Sequence, residues 1–248
     1  MPILAAFSRS PDAMTLTDLA KAAEITTSKA HKYLASFIRA GLVTQDSRNG
    51  RYRLGPLALE LGFTALRHLN AANISESALL ELRDSLDLTA SMTVWANQGP
   101  TIVRRVEPHQ MQFVMMRLGT VLPLLTSVSG RVFLAYLGRE YTQPFIDAEL
   151  GDVGGPAAKF GLRTMQDVEK LIARIRATRL AETEGIIAGL VGLSTAIFDS
   201  SNTITAAITV VGARDTNLSL AKPKLLAIAD DLSRQLGATV VADAMGSR

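Results

Sequence analysis

Along the first quarter of the chain, short apolar stripes alternate with polar breaks in a pattern that predicts three helices and a hairpin. Pro2 to Ser8 is an apolar run that reads as a helix, broken at Ser10-Pro11-Asp12. Leu16, Leu19, Ala20 and Ala23 then recur at helical spacing, and Thr15 or Thr17 can cap that helix by accepting from its free N–H groups. After a break at Glu24-Ile25, Thr26 or Thr27 caps a third helix with the stripe Ala30, Tyr33, Leu34, Phe37 and Ile38. Gly41 ends it, because glycine adopts a left-handed conformation at low cost. Leu42 to Gln45 reads as a strand and Ser47-Arg48-Asn49-Gly50 as a hairpin signal with a two-residue Asn-Gly turn. Arg51 to Leu54 is the returning strand, with Tyr52 and Leu54 on one face and Arg51 and Arg53 on the other. This order is that of a winged helix-turn-helix, expected over residues 1–55.

Gly55-Pro56 stops the hairpin. Leu57, Leu61, Ala65 and Leu69 then repeat every four residues, which predicts a linker helix over 56–74 with a boundary at Asn73-Ile74-Ser75. In the second domain, 75–248, helices are expected at Ala78–Ser85, Ser127–Leu137, Met165–Thr178 and from Pro223 to about Leu236. Strands are expected at Ser91–Ala96, Thr101–Val106, Gln112–Arg117, Leu190–Phe198 and Thr203–Val211, with a Gly- and Pro-rich loop around Gly151–Pro156. The last two strands are separated by Asp199-Ser200-Ser201-Asn202, a hairpin signal. Strands interleaved with helices and joined in hairpin pairs imply an α+β fold on an antiparallel sheet.

Charge changes this picture in one place. Residues 1 to 70 hold nine Lys/Arg and five Asp/Glu, whereas the rest of the chain is nearly neutral. From Thr26 to Leu54 six bases (Lys29, Lys32, Arg39, Arg48, Arg51, Arg53) face one acid, Asp46. A basic surface confined to the first domain implies an anionic partner for that part; a merely solvated helix face is the alternative. With no cysteine, disulfides, thiolate zinc sites and cysteine nucleophiles are excluded, and a cytoplasmic location fits. His31, His68 and His109 lack ligand spacing, so no metal site is expected. The chain has no run of about 20 apolar residues for a membrane span, and its start lacks the basic end and apolar core of a signal peptide. The first helix begins almost at the first residue, which leaves room for a longer native N-terminus.

In a helix-turn-helix, the second helix enters the major groove and offers short polar or cationic side chains from its first turn. Thr26, Thr27, Ser28 and Lys29 stand there, with His31 and Lys32 one turn on. The helix N-terminus favours phosphate, and Arg48, Arg51 and Arg53 place the wing on the neighbouring backbone or in the minor groove. These residues are the expected contacts to double-stranded operator DNA.

Thr15-Leu16-Thr17-Asp18-Leu19-Ala20, Ser28-Lys29-Ala30-His31-Lys32-Tyr33-Leu34, Gly41-Leu42-Val43 and Gly50-Arg51-Tyr52-Arg53-Leu54-Gly55 resemble the N-terminal domain of the IclR family of bacterial regulators. Val106-Glu107, Gly119 with Leu122-Pro123, Ser129-Gly130-Arg131 and Ala196-Ile197-Phe198-Asp199 follow in that family's order. Glu24 stands where the family usually has a glycine, and Leu125 where a histidine is common. The resemblance implies a GAF-like effector domain, homodimers or tetramers, and a palindromic operator, with catabolic genes under repression or activation. It also implies an effector-binding set of Leu122, Leu125, Val128, Ser129, Glu182, Leu190, Gly192, Thr209 and Val211. This set is largely apolar, and burying a carboxylate there without donors is costly. It therefore suits a partly apolar effector, such as an aromatic acid or a lactone-like metabolite, with Ser129, Thr209 and backbone N–H groups at its polar end.

No catalytic set is expected. Ser129 and Ser194 have no histidine partner at hand, and no Lys-Ser/Thr follows Gly151–Gly155 as a phosphate loop requires. Glu182 and Glu184 are successive positions on one strand or loop face, which seldom converge as an acid/base pair. The alternative is a metabolite-processing or protein-docking module with a non-functional winged domain. No cofactor is expected.

Overall fold

The computed structural model describes residues 2–10, 12–68, 70–109, 116–152, 154–184 and 189–239. The chain divides into two compact units, Met1–Leu69 and Asn70–Arg248.

The first unit contains α1 (Pro2–Arg9), α2 (Leu16–Ala22), α3 (Thr27–Arg39), β1 (Val43–Gln45), β2 (Tyr52–Leu54) and α4 (Pro56–His68). Thr15 caps α2 by accepting from the Asp18 N–H, and Thr26 caps α3 by accepting from the Lys29 N–H. Ile3, Phe7, Leu19, Ala23, Ala30, Leu34, Val43 and Tyr52 form one buried cluster. Burying these apolar faces together holds three short helices that would be marginal alone. Tyr52 also exchanges backbone hydrogen bonds with Met14, 2.9 and 2.8 Å, which ties the wing to the chain just before α2.

Three details differ from expectation. Ile38 is exposed, at the ragged end of its stripe. Leu54 is also exposed, because only Tyr52 of the returning strand reaches the core. The hairpin turn is wider than two residues: Asp46 donates to the Arg51 carbonyl, and Gly50 donates to the Asp46 carbonyl. The Asp46 carboxylate accepts from the Arg48 N–H and the Asn49 amide, which stabilises this longer loop.

The second unit contains α5 (Asn70–Leu86), β3 (Thr89–Ala96), β4 (Gly99–Val106), α6 (Val128–Tyr136), α7 (Arg139–Gly151), α8 (Pro156–Lys159), α9 (Met165–Thr178), β5 (Ala181–Glu184), β6 (Leu190–Phe198), β7 (Ile204–Ala213) and α10 (Ala221–Gln235). The five strands form one antiparallel sheet in the order β4-β3-β7-β6-β5. Helix α6 covers one face with Val132 and Phe133, with α9 packed on α6, and α5 and α10 pack on the other. The sheet is therefore buried on both sides, which is why β6 and β7 read as near-continuous apolar runs.

Helix α5 runs unbroken through Asn73–Ser75, where the sequence suggests a boundary. The stretch 139–150, for which no element is expected, is helix α7, with Pro144 inside it. The expected strand Gln112–Arg117 falls mostly outside the described residues; Met116 and Arg117, which are described, are not in a strand.

Candidate DNA interface and effector cavity

The turn between α2 and α3 is made by Ala23, Glu24 and Ile25. Glu24 takes a positive φ of 53°, the left-handed conformation that glycine adopts freely and other residues adopt at a cost of about 1 kcal/mol. The Ile25 N–H donates to the Ala20 carbonyl at 3.0 Å and closes the turn. This sets α3 against α2 through Ala30 and Leu34 and turns its other face outward. Thr26, Thr27, Ser28, Lys29, His31 and Lys32 are all exposed on that face, as are Arg48, Arg51 and Arg53 on the wing. Two of the wing arginines also have intramolecular partners. The Arg51 guanidinium donates to the Ala13 carbonyl at 3.0 Å, and Arg53 Nε donates to Thr44 Oγ1 at 3.3 Å. Lys29, Lys32 and Arg48 form no ion pair among the described residues.

In the second unit, a small cavity opens between the sheet and the start of α6. Strand alternation explains the sheet side. Leu190 and Gly192 on β6, Thr209 and Val211 on β7, and Ser91 on β3 share one face. The other wall is Leu122 in the loop before α6, then Ser127, Val128 and Ser129 at the helix start. Ser127 caps α6, accepting from the Gly130 N–H at 2.8 Å while donating to the Pro123 carbonyl at 2.6 Å. A Cβ on Gly130 would lie 2.3 Å from the Pro123 carbonyl oxygen, so only glycine lets the loop fold this closely over the helix. Gly192 is less constrained: a Cβ there would lie 3.1 Å from Val128 Cγ2, a side-chain contact that a small shift of Val128 relieves.

On the floor of the cavity, Ser129 and Thr209 belong to a row of buried hydroxyls that continues to Thr93 and Ser194 behind it. Thr93 Oγ1 is 3.3 Å from Ser129 Oγ, Ser129 Oγ 2.8 Å from Thr209 Oγ1, and Thr209 Oγ1 2.8 Å from Ser194 Oγ. Among the described residues, every polar side chain lining the cavity is a neutral hydroxyl, and no charged side chain lines it.

Seven of the nine expected effector residues line this cavity: Leu122, Val128, Ser129, Leu190, Gly192, Thr209 and Val211. Leu125 does not. It is fully buried in the core between α6 and α9. Its N–H donates to Glu149, and its carbonyl accepts from Arg131 Nε at 2.7 Å. Glu182 does not line it either. It pairs with Lys222 at 2.7 Å, and Thr183, one position on, faces the cavity. A shift of one residue on a strand reverses the side chain's face.

Ser91, Ile102, Met116, Ser127 and Thr183 also line the cavity and are not in the effector set that the resemblance implies. Ser91 could have been found from its register opposite Thr209. Behind the cavity, Arg131 is buried with its guanidinium 5.2 Å from the centre of the Phe160 ring. Burial, with Arg174 nearby, pushes it down to about 10, so it stays cationic at neutral pH.

The two halves of the chain match two family descriptions. Residues 1–47 match the IclR helix-turn-helix domain, and residues 63–238 match the bacterial transcriptional regulator IclR C-terminal domain. The chain belongs to the IclR family. Among solved structures, HmgR of Pseudomonas aeruginosa is 31% identical over 95% of this chain and 96% of that one, with a TM-score of 0.73. An IclR homologue of Microbacterium hydrocarbonoxydans, solved with 4-hydroxybenzoate, is 20% identical over 95% and 96%, with a TM-score of 0.78. The HTH-type transcriptional regulator XynR of Escherichia coli K12 is 22% identical over 72% of this chain and 69% of its own length.

This IclR-family chain is thus an α+β transcriptional regulator with a helix-turn-helix DNA-binding domain and the family's C-terminal domain, and its curated relatives are regulators rather than enzymes. Among the described residues, no helix is long and apolar enough to cross a membrane.

Proposed function

We propose that this regulator binds double-stranded operator DNA in the cytoplasm as a homodimer or tetramer, and that a partly apolar effector of aromatic-acid type governs the binding. The observation that carries this reading is the cavity lining. Ile102, Met116, Leu122, Val128, Leu190 and Val211 supply apolar walls, and the polar groups are neutral hydroxyls. A small dicarboxylate would be desolvated there with no cation to meet it. An aromatic ring fills apolar walls of this kind and still leaves one end for polar contacts. The related fold from Microbacterium hydrocarbonoxydans holds 4-hydroxybenzoate, an aromatic acid of this class. The first-turn N–H of Val128 on α6 suits a carboxylate end, since a helix N-terminus carries partial positive charge.

On the DNA side, Thr26, Thr27, Ser28, Lys29, His31 and Lys32 would contact the major groove, and Arg48, Arg51 and Arg53 the adjacent backbone or minor groove. In a dimer, two such helices read successive major grooves about 34 Å apart. Leu59 and Leu61 on α4, 62% and 54% exposed, support self-association through that helix. An effector can shift DNA binding only by favouring one of the states that hold the recognition helices.

The test is fluorescence anisotropy of the full chain on promoter-proximal fragments across a salt series, with and without a panel of aromatic acids. Salt-sensitive binding to a palindromic fragment that an aromatic acid shifts is the expected result. A chain with no affinity for any fragment, or one that responds only to small hydrophilic acids, would overturn the proposal.

A further inference from the structure

The hydroxyl row on the cavity floor has a direction. Ser194 Oγ lies 3.1 Å from the carbonyl oxygen of Ile208, and a carbonyl can only accept, so the Ser194 proton is directed there. The proton between Ser194 and Thr209 must then come from Thr209, and the one between Thr209 and Ser129 from Ser129. Thr93 donates to Ser129 at the other end. All four residues are buried. Ser127, on the cavity wall, likewise has its proton directed to the Pro123 carbonyl.

We infer that Ser129 and Thr209 face the cavity only as hydrogen-bond acceptors, so the floor selects an effector carrying a donor, a hydroxyl or an amine, and rejects a carboxylate there. Each of these oxygens accepts one bond within the row and keeps one lone pair. A carboxylate oxygen would set lone pairs against both in a low-dielectric site. A hydroxyl donates to one of them and can still accept from Ser91, opposite Thr209, whose hydroxyl is uncommitted among the described residues. This narrows the expectation that Ser129 and Thr209 hold the polar end of the effector: the group they hold is a donor and not a carboxylate. Ser194 touches no ligand. It is a positioning residue that fixes which way the Thr209 proton points.

The inference rests on the cavity being the effector site. The experiment is calorimetric titration of the full chain with benzoates carrying a hydroxyl, an amino or a fluoro group at the same ring position. The first two keep a donor, and fluorine removes it at similar size. The hydroxyl and amino compounds are expected to bind at least about tenfold tighter than the fluoro compound. Ser194→Ala leaves the Thr209 proton free to turn toward the ligand, and the gap is expected to fall below about threefold. Thr209→Ser preserves the row and the gap. If the Ser194 variant does not fold, Thr209→Val removes a floor acceptor and should close the gap in the same way.

Equal binding of hydroxyl and fluoro compounds to the wild type overturns the polarity but leaves the effector cavity standing. A gap that survives both Ser194→Ala and Thr209→Val overturns the hydroxyl row as its cause. If no compound of the series binds, the aromatic-acid reading falls and the inference with it.

Discussion

Glu149 on α7 accepts from the backbone N–H of Leu124 at 2.6 Å and so holds the loop that leads into α6. The second carboxylate oxygen accepts from the Leu125 N–H at 2.9 Å. One side chain thus fixes two successive peptide groups a few residues from Leu122 and Ser127 on the cavity wall. In Glu149→Gln one oxygen becomes an amide donor facing an N–H group. A loss of about 1–3 kcal/mol in unfolding stability is expected. A weaker thermal shift with effector should accompany it, because the loop is less well placed. Differential scanning fluorimetry with and without ligand checks both; a variant as stable as the wild type would remove Glu149 from this role.

The same carboxylate gives a pH signature. Burial raises its pKa above the ordinary range, while the N–H bonds from Leu125 and Leu124 pull it down by less. A carboxyl group whose native pKa is raised is harder to ionise folded than unfolded. Its stabilisation is full below the ordinary carboxyl pKa and is lost as pH rises through the raised value. The margin of the wild type over Glu149→Gln should therefore be largest near about pH 4 and shrink as pH rises. Paired melts across that range that showed the margin growing would contradict the assignment.

Much of this was legible in the sequence where one signal dominated. Helix α9 falls at Met165–Thr178 as expected, because its apolar stripe is regular and Thr164 with Asp167 forms a capping box at its start. The α2–α3 pair and the β6–β7 hairpin were legible for the same reason. Helix α7 was obscured by Pro144, a helix breaker that here lies inside the helix, and by the glycines that follow it. Strand β5 is four residues long, polar and at the sheet edge, too short to show alternation. No alternation there tells that Thr183, and not Glu182, faces the cavity. Leu125 is apolar and close in sequence to Leu122, and nothing in its residue type tells which side of the loop it faces. The hydroxyl row joins β3, α6, β6 and β7, a juxtaposition no local pattern encodes.

Gly192 tests whether the cavity is the site of regulation. A Cβ there would meet Val128 Cγ2 at 3.1 Å without backbone strain, so Gly192→Ala should cost little stability. Gly192→Leu would project into the empty space and crowd Val128, at about 1–3 kcal/mol. The expected outcome is a folded protein that binds DNA as the wild type does but no longer responds to any effector. Anisotropy titrations would expose the error if the leucine variant still responded.

Lys32 separates positioning from sequence readout. It is exposed on α3 and unpaired among the described residues, as a phosphate contact should be. Lys32→Ala is expected to weaken binding to all fragments alike. It should also reduce the slope of log K against log salt by about 0.9 for each site lost. Thr27→Ala or Ser28→Ala should instead change which fragments bind, with the slope intact. An unchanged slope in the lysine variant would count against its phosphate role.

Two glycines give opposite expectations and so test the packing of the first unit. The Gly55 N–H donates to the Leu42 carbonyl at 2.8 Å where the wing returns toward α4. A Cβ on Gly55 would sit 2.3 Å from the Gly41 carbonyl oxygen and 3.2 Å from the Leu42 carbonyl carbon. Those are backbone atoms fixed by the start of the hairpin, so they cannot turn aside as a side chain would. Gly55→Ala should therefore cost about 2–3 kcal/mol, enough to abolish DNA binding in a small domain. Gly62 lies within α4, and a Cβ there meets nothing within 4 Å. Gly62→Ala should stabilise that helix by about 0.5–1 kcal/mol through the backbone entropy glycine loses on folding. Limited proteolysis read by mass spectrometry resolves both, with cleavage in residues 1–69 rising in the first variant and falling in the second. Cleavage unchanged by Gly55→Ala would mean that the hairpin and the start of α4 do not approach as described.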